Sequence, residues 1–422
     1  MIRLVVPVAV TGMGCITAAG RTVAANIAGL DAGARSPVPP SQLRPPLFRT
    51  DSDHPVFMSA LPEADDAVFT ALPDFRGLAH CSRTVRLAAH AALEALADAE
   101  LAPEELSSLR VGVCLGTSVG TSLDFFDFYR DQRTGTDAPL DEILRYRASN
   151  PALALARLLR LGGAGQSGPV LCVANACSSG ADAIGIAAGW VREGLCDIAL
   201  CGGADALARV TYLGFGSLRL TTPEACKPFD ANRSGLNLGE GAGVLVLESP
   251  ARAANRRLRG VVMGYGTATD AHHLTAPHPD ARGLTLALEQ ALGQGNVQGS
   301  ARTNMHEIAF INAHGTTTPT NDAAEGKFFR ERFPDTPFIA TKGCTGHTLG
   351  AAGAVEAVFT VAHLARGLLP ASPGFAVPDA AIGASPVCAP TPVSGSMALS
   401  QSLAFGGNNS VLLLGKGDTP CP

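Results

Sequence analysis

The stretch "VANACSSGADAIGIAAGWVREG", residues 173–194, places Cys177 where an apolar run ends and helical spacing begins. "SSG" after the cysteine can open a helix, whose first turn carries partial positive charge and free N–H groups. Both favour a thiolate, and the small residues at 178–181 leave room for a substrate, so the position suits a nucleophile for acyl transfer. Buried structural thiols are the commoner use of cysteine, so a nucleophile here needs partners elsewhere in the chain. "NAHGTTTPTNDAAEG" puts His314 at the end of the apolar run "IAFINA". "TKGCTGHTLGAAGAVEA" puts His347 just before a glycine-rich helix start, with Lys342 five residues earlier. His272, His273 and His278 in "AHHLTAPHP" share no metal-ligand spacing and read as peripheral loop residues. Two short motifs compete weakly. Gly116–Gly120 forms a G-x-S-x-G around Ser118, the pattern of a hydrolase nucleophile elbow. "GMGCIT" starts like a dinucleotide loop, but Thr17 holds the third glycine position.

The elements that must position these residues are glycine-bounded apolar runs: "VAVTGMG", "VGVCLG", "PVLCVA", "DIALCGGA", "AGVLVLE", "IAFINAHG" and "SVLLLG". They lack alternation, which suits strands covered on both faces. Helical stretches such as "TVRLAAHAALEALADAEL" and "GAAGAVEAVFTVAHLARG" lie between them, so the pattern predicts α/β layers. The "NACSSGADAIG…CGGA" block echoes "KGCTGHTLGAAG…" with "ALSQSLAFGGNNSVLLLG", which points to an internal duplication. Residues 34–75 and 368–395 read as irregular excursions. With 422 residues, 46% of them hydrophobic, the chain can bury a large core. A net charge of −5 gives no general attraction to nucleic acid or anionic membranes. No window has the ~20 apolar residues of a membrane helix. Eleven cysteines without a regular framework, several inside apolar strands (Cys114, Cys172, Cys201), imply a reduced, cytoplasmic protein.

The blocks "NACSSG", "KPFDANRSGLNLGEGAGVLVLE", "NAHGTTTPTNDAAE", "TKGCTGHTLGAAGAVEA" and "SLAFGGNNS" resemble the elongating β-ketoacyl-[acyl carrier protein] synthases of fatty acid and polyketide synthesis. They occur in family order and span almost the whole chain. The resemblance implies a thiolase fold, an α/β architecture of duplicated halves in five layers, α-β-α-β-α. Residues 1–250 would carry the nucleophilic cysteine and residues 251–422 both histidines. It implies a homodimer, or a heterodimer with a related ketosynthase-like subunit.

By the same resemblance Cys177 matches the acyl-accepting nucleophile, and His314 and His347 complete a Cys-His-His triad. Lys342 matches the lysine beside the second histidine, and Glu325 the acidic residue linked to it. Phe405 matches the gating phenylalanine, whose backbone N–H forms an oxyanion hole with that of Cys177. Leu403, Ala404, Gly406 and Gly407 form the gating loop; Leu403 and Ala404 stand where the family commonly has Phe and Gly, and Asn408 where Thr is usual. "EILRYRASNPALAL", with Tyr146, Arg147 and Asn150, is unusually polar for its place. The implied reaction is acyl transfer to Cys177 followed by decarboxylative condensation with a malonyl thioester. Neither a metal nor a bound cofactor is expected; phosphopantetheine arrives on acyl carrier protein, in acyl and malonyl forms. Carrier proteins are acidic, so a local basic patch is required. Arg219 and Lys227 flank a short loop near the expected pocket mouth, and Arg83 and Arg86 share a helix face. The rival reading is a non-catalytic partner subunit of the chain-length-factor type, which lacks the cysteine. Pathway and chain length stay open.

Overall fold

The computed structural model describes residues 6–43, 52–61, 67–120, 126–137, 150–162, 167–295 and 307–417. The apolar runs form strands β1 (Val8–Ile16), β2 (Val111–Gly116), β3 (Val170–Val173), β4 (Ile198–Asp205) and β5 (Gly241–Glu248). β6 (Gly260–Thr269), β7 (Ile308–Asn312) and β8 (Phe338–Ile339) follow, then the short pair β9 (Leu368–Leu369) and β10 (Thr391–Pro392), then β11 (Met397–Ala404) and β12 (Asn408–Lys416). Five helices matter most for the site: α1 (Arg83–Asp98), α2 (Ser179–Arg192), α3 (Arg282–Gly295), α4 (Pro319–Arg332) and α5 (Ala352–Arg366).

Among the described residues ten strands join in the order β3-β2-β4-β5-β1-β6-β12-β11-β7-β8. β1 meets β6 only briefly, Val8–Val10 against 260–262. On each side of that seam the arrangement is the same. Counted within its own half, each set of five runs third, second, fourth, fifth, first, with identical parallel and antiparallel pairings. The echo in the sequence is thus a repeat of topology.

Strand alternation sets the layers. In β5, Val244 and Val246 join α1 in an outer core, while Leu245 and Leu247 face α2 and α5. In β12, Leu412 and Leu414 face the same two helices from the other side, and Val411 and Leu413 join α3 and α4 in a second outer core. Helix, sheet, paired helices, sheet and helix therefore stack in five layers, α-β-α-β-α. Small residues let the central helices touch. A Cβ on Gly180 would lie 2.9 Å from the Ala354 Cβ, and one on Gly353 would lie 2.9 Å from the Ala181 Cβ. The contact is reciprocal across the two halves.

The "GMG" motif belongs to this packing, not to a dinucleotide loop. Gly12 and Gly14 sit inside β1, where added Cβ atoms would strike the carbonyls of Ala95 and Ala91 in α1. Gly264 and Gly266 in β6 repeat the arrangement against Ala291 and Ala287 in α3. These glycines also interrupt the apolar pattern of β6, which the sequence reading did not single out. Cys114 and Cys201 are fully buried in their strands, as small hydrophobes are, and Cys172 is half-buried. β3 departs from the expected two-sided cover: it is the sheet edge, and Val170 and Leu171 are exposed. Among the described residues no helix is long and apolar enough to cross a membrane.

Candidate active site

Cys177 sits in a single tight turn, Ala176–Ser178, between β3 and α2. The turn is held locally: Ser179 Oγ accepts from the Asn175 N–H (2.7 Å) and donates to the Ala176 carbonyl (2.6 Å). Ala176 adopts φ +49, a left-handed conformation that costs a non-glycine residue energy and marks a built elbow. The cysteine is only 4% exposed.

Two junctions of the second half meet it. After β7, His314 is fixed by its own backbone: its N–H and that of Gly315 donate to the Glu325 carboxylate at 2.8 and 2.7 Å. Asn321 Nδ2 donates to the same carboxylate (2.7 Å). Before α5, His347 is clamped by backbone bonds to Asn237 and Gly239. Its Nε2 lies 3.1 Å from the Cys177 Sγ. The two imidazoles stand edge to face, centroids 5.2 Å apart at 85°. The Cys177 Sγ and one nitrogen of each histidine all lie within 4.8 Å of one another.

Lys342 Nζ lies 3.2 Å from His314 Nδ1 and also donates to the His314 carbonyl. An ammonium can only donate, so His314 Nδ1 accepts and its proton resides on Nε2. The expected link from Lys342 to Glu325 is not what the structure shows. The lysine is ion-paired with buried Glu356 of α5, while Glu325 serves the His314 loop. Glu356 is the only acid in an otherwise apolar helix, a signal present in the sequence and passed over.

Burial, then the Lys342 charge, holds both imidazoles well below the usual histidine range, so both are neutral at pH 7. Burial pushes the Cys177 thiol up to about 12, offset in part by Lys342 and by a hydrogen bond from the Phe405 N–H. The expected resting thiolate is therefore corrected to a thiol: desolvation outweighs the helix end. The Phe405 N–H thus points at the Cys177 sulfur.

The Phe405 ring stacks on Phe215, 5.1 Å between centroids at 19°. The turn after β11 needs its glycines: Gly406 has φ +83 and Gly407 φ +75. It is latched to the 270–275 loop through Asp270 N–H to Gly407 O (2.7 Å) and Gly406 N–H to Leu274 O (2.8 Å). Ala404 is in ordinary extended conformation (φ −128, ψ 156), and Leu403 is buried. A cleft lined by Phe215, Thr316, Thr318, Asn321, Leu403, Ala404, Phe405 and Asn409 together with the triad leads to this group.

The other expected residues lie elsewhere. Arg219 is exposed, next to exposed Leu218 and near Val210 and Leu213 on the helix Arg209–Ser217 that supplies Phe215. Lys227 is already paired with Glu224 at 2.6 Å. Arg83 is corrected to a structural residue: it turns inward to buried Glu240, with Nη2–Oε1 at 2.5 Å. Arg86 is half-buried on the same helix, its charge beside the Cys81 thiol. Among the described residues Ser118 Oγ is buried without a hydrogen-bond partner, and no described histidine bonds to it. His273 and His278 accept backbone N–H groups of their own loop. Asn150 caps the helix Pro151–Leu158, and Tyr146 and Arg147 lie outside the described residues.

A five-layer duplicated fold with a cysteine and two neutral histidines at the junctions of its halves defines a member of the thiolase superfamily. The chain belongs to the β-ketoacyl synthase family: residues 6–253 match its N-terminal domain and residues 259–376 its C-terminal domain. It is 32% identical to the 3-oxoacyl-[acyl-carrier-protein] synthase 2 of Synechocystis sp., over 97% of this chain and 98% of that protein. It is 33% identical to the tetracenomycin polyketide synthase ketoacyl synthase alpha subunit of Streptomyces glaucescens, over 70% of this chain and 72% of that one. A solved structure described as the ishigamide ketosynthase/chain length factor superposes with TM-score 0.84 at 30% identity, covering 97% of this chain and 99% of its own.

Proposed function

We propose that this chain is a 3-oxoacyl-[acyl carrier protein] synthase acting in fatty acid or type II polyketide or polyene synthesis. The observation that carries the reading is the Cys177 Sγ held 3.1 Å from His347 Nε2, with His314 beside it, at the floor of the cleft. Acyl carrier protein brings the acyl thioester in on phosphopantetheine, and no bound cofactor or metal is called for. The thiol sulfur attacks the thioester carbon as His347 Nε2 takes the S–H proton and passes it to the departing pantetheine sulfur. Malonyl carrier protein then enters. The bond to its carboxylate breaks, carbon dioxide leaves, and the electron pair moves into the enolate. His314 donates its Nε2–H to the enolate oxygen. His347 adds a second hydrogen bond in its Nε2–H tautomer, which acylation permits because sulfur no longer presents a proton to it. The enolate carbon attacks the acyl carbon, and the Cys177 and Phe405 N–H groups face the oxyanion. Collapse expels the cysteine sulfur, which takes back a proton drawn from solvent, the one proton that the decarboxylating condensation consumes.

Arg219 and the exposed Val210, Leu213 and Leu218 beside the cleft form the carrier-docking face in this reading. The exposed apolar edge strand β3 is a ready template for a second subunit. That subunit is another copy or a ketosynthase-like partner; the ishigamide relative, described as a ketosynthase/chain length factor, favours keeping both. The chain divides as 1–250 and 251–422, the first half supplying the nucleophile and the second the histidines. Intact mass after incubation with acyl carrier protein tests the core claim. Wild type gains one acyl group and Cys177→Ala none. An unacylated wild type would favour a non-catalytic partner subunit instead.

A further inference from the structure

α2 carries one acid, Asp182, five residues past Cys177 in an otherwise small and apolar run. Its carboxylate is 3% exposed and receives four donors. Two flank the nucleophile: Asn175 Nδ2 at 2.7 Å and Ser178 Oγ at 2.9 Å, both on Oδ2. Two come from the other half: the Tyr265 hydroxyl of β6 at 2.9 Å and the Ser410 hydroxyl of β12, both on Oδ1. The Tyr265 contact has a prepared seat. A Cβ on Gly185, three residues along α2, would lie 2.2 Å from the Tyr265 ring, so only glycine lets that ring lie against the helix. Ser410 is three residues beyond Gly407 on the strand that leaves the gating turn.

We propose that Asp182 is a positioning residue: it ties both shoulders of the Cys177 elbow to strands of the opposite half, and so fixes the sulfur against His347 and the Phe405 N–H. The proposal rests on Cys177 being the nucleophile. Sulfur and histidine come from different halves, so their registration needs a bond across the seam, and this carboxylate makes two on each side. The geometry must hold to a fraction of an ångström for the attack to be productive.

The test separates the two half-reactions. Asp182→Ala is expected to slow acyl transfer to Cys177 by about 100-fold, the order seen when a reacting group is displaced by an ångström. Decarboxylation of malonyl carrier protein by enzyme already acylated at Cys177, and its KM, should stay within about twofold. Asp182→Asn should restore most of the acylation rate. Its Oδ1 can accept from Asn175 and Ser178, while its amide faces two hydroxyls that can turn to accept. Overall destabilisation would instead lower both half-reactions together, with no rescue by asparagine, and that result would overturn the proposal. So would wild-type acylation by folded Asp182→Ala. If the alanine variant does not fold, Tyr265→Phe and Ser410→Ala each remove one far-side donor and should slow acylation by roughly 3–10-fold. Wild-type rates in both would overturn it. Cys177→Ala is the control for the underlying reading: acyl mass gained there would defeat the nucleophile assignment itself.

Discussion

The two halves share one strand order and put different chemistry at equivalent junctions. Between the third strand and the central helix, the first half places Cys177 after an elbow at Ala176 (φ +49). The second half places Lys342 and His347 there, followed by its own left-handed residue, Leu349 (φ +53). After the second strand the first half offers Thr117 and Ser118, bonded to buried Asp205, where the second offers His314, braced by Glu325. The fourth strand of the first half ends in Asp205, and that of the second is followed by Phe405. Duplication supplies two sets of rim positions facing each other across shared helices. Each half has kept the members that the other lacks.

That division of labour breaks or sharpens under substitution. The largest effects belong to the second-half histidines. His314→Ala should still accept an acyl group but lose malonyl decarboxylation by about 100- to 1000-fold, the magnitude for removing one donor to a developing oxyanion, while His347→Ala should lose decarboxylation to the same degree and also slow acylation, because its Nε2 takes the Cys177 proton. Carbon dioxide release at the wild-type rate from either would break the comparison.

The first-half sulfur should show its desolvation. With its pKa pushed up to about 12, the rate of Cys177 alkylation by iodoacetamide should climb about tenfold per pH unit between roughly pH 7 and 10, without levelling off. Lys342→Ala, which removes a charge that lowers that pKa, should slow alkylation at every pH. A plateau near neutrality, mapped to Cys177 by peptide mass, would restore the thiolate expected from the helix end.

A smaller loss, about tenfold in acylation, is expected for Gly407→Ala, because a Cβ at φ +75 costs roughly 1–2 kcal/mol and meets Asp270 at 3.1 Å. Ala404→Gly should leave acylation unchanged, since position 404 is already extended. Stopped-time acylation with short and long acyl carriers checks both; equal rates for Gly407→Ala and wild type would show the turn to be a fixed corner. The smallest effect is expected at Ser118, the counterpart of His314. Ser118→Ala should change condensation by less than about twofold, and a loss rivalling His314→Ala would mean that the equivalence of the junctions has been misread.

The residues gathered at the cleft were legible because their types are rare at such junctions: Cys177, His314, Lys342 and His347 each end an apolar run or open a helix. Most strands were legible for the same reason, their apolar runs being bounded by glycine. β6 was not, since its glycines serve the approach of α3 and dilute the pattern. Glu356 and Asp182 escaped notice although each is the sole acid in a central helix. A lone charge in an apolar helix says that a partner exists without naming it, and both partners lie on distant strands or turns. The thiolate expectation failed because helix dipoles can be read from sequence and desolvation cannot. Arg83 was misassigned because spacing puts it on a helix face without showing that Glu240 waits beneath.

The glycine–alanine crossing of α2 and α5 also bears on how the chain comes apart. Each central helix packs against both sheets, so neither half can lose its structure while the other keeps a covered face. The repeat is modular in ancestry and indivisible in denaturation: heat or urea should meet one cooperative transition, and a chain cut between the halves would yield two fragments that are ordered only in each other's company.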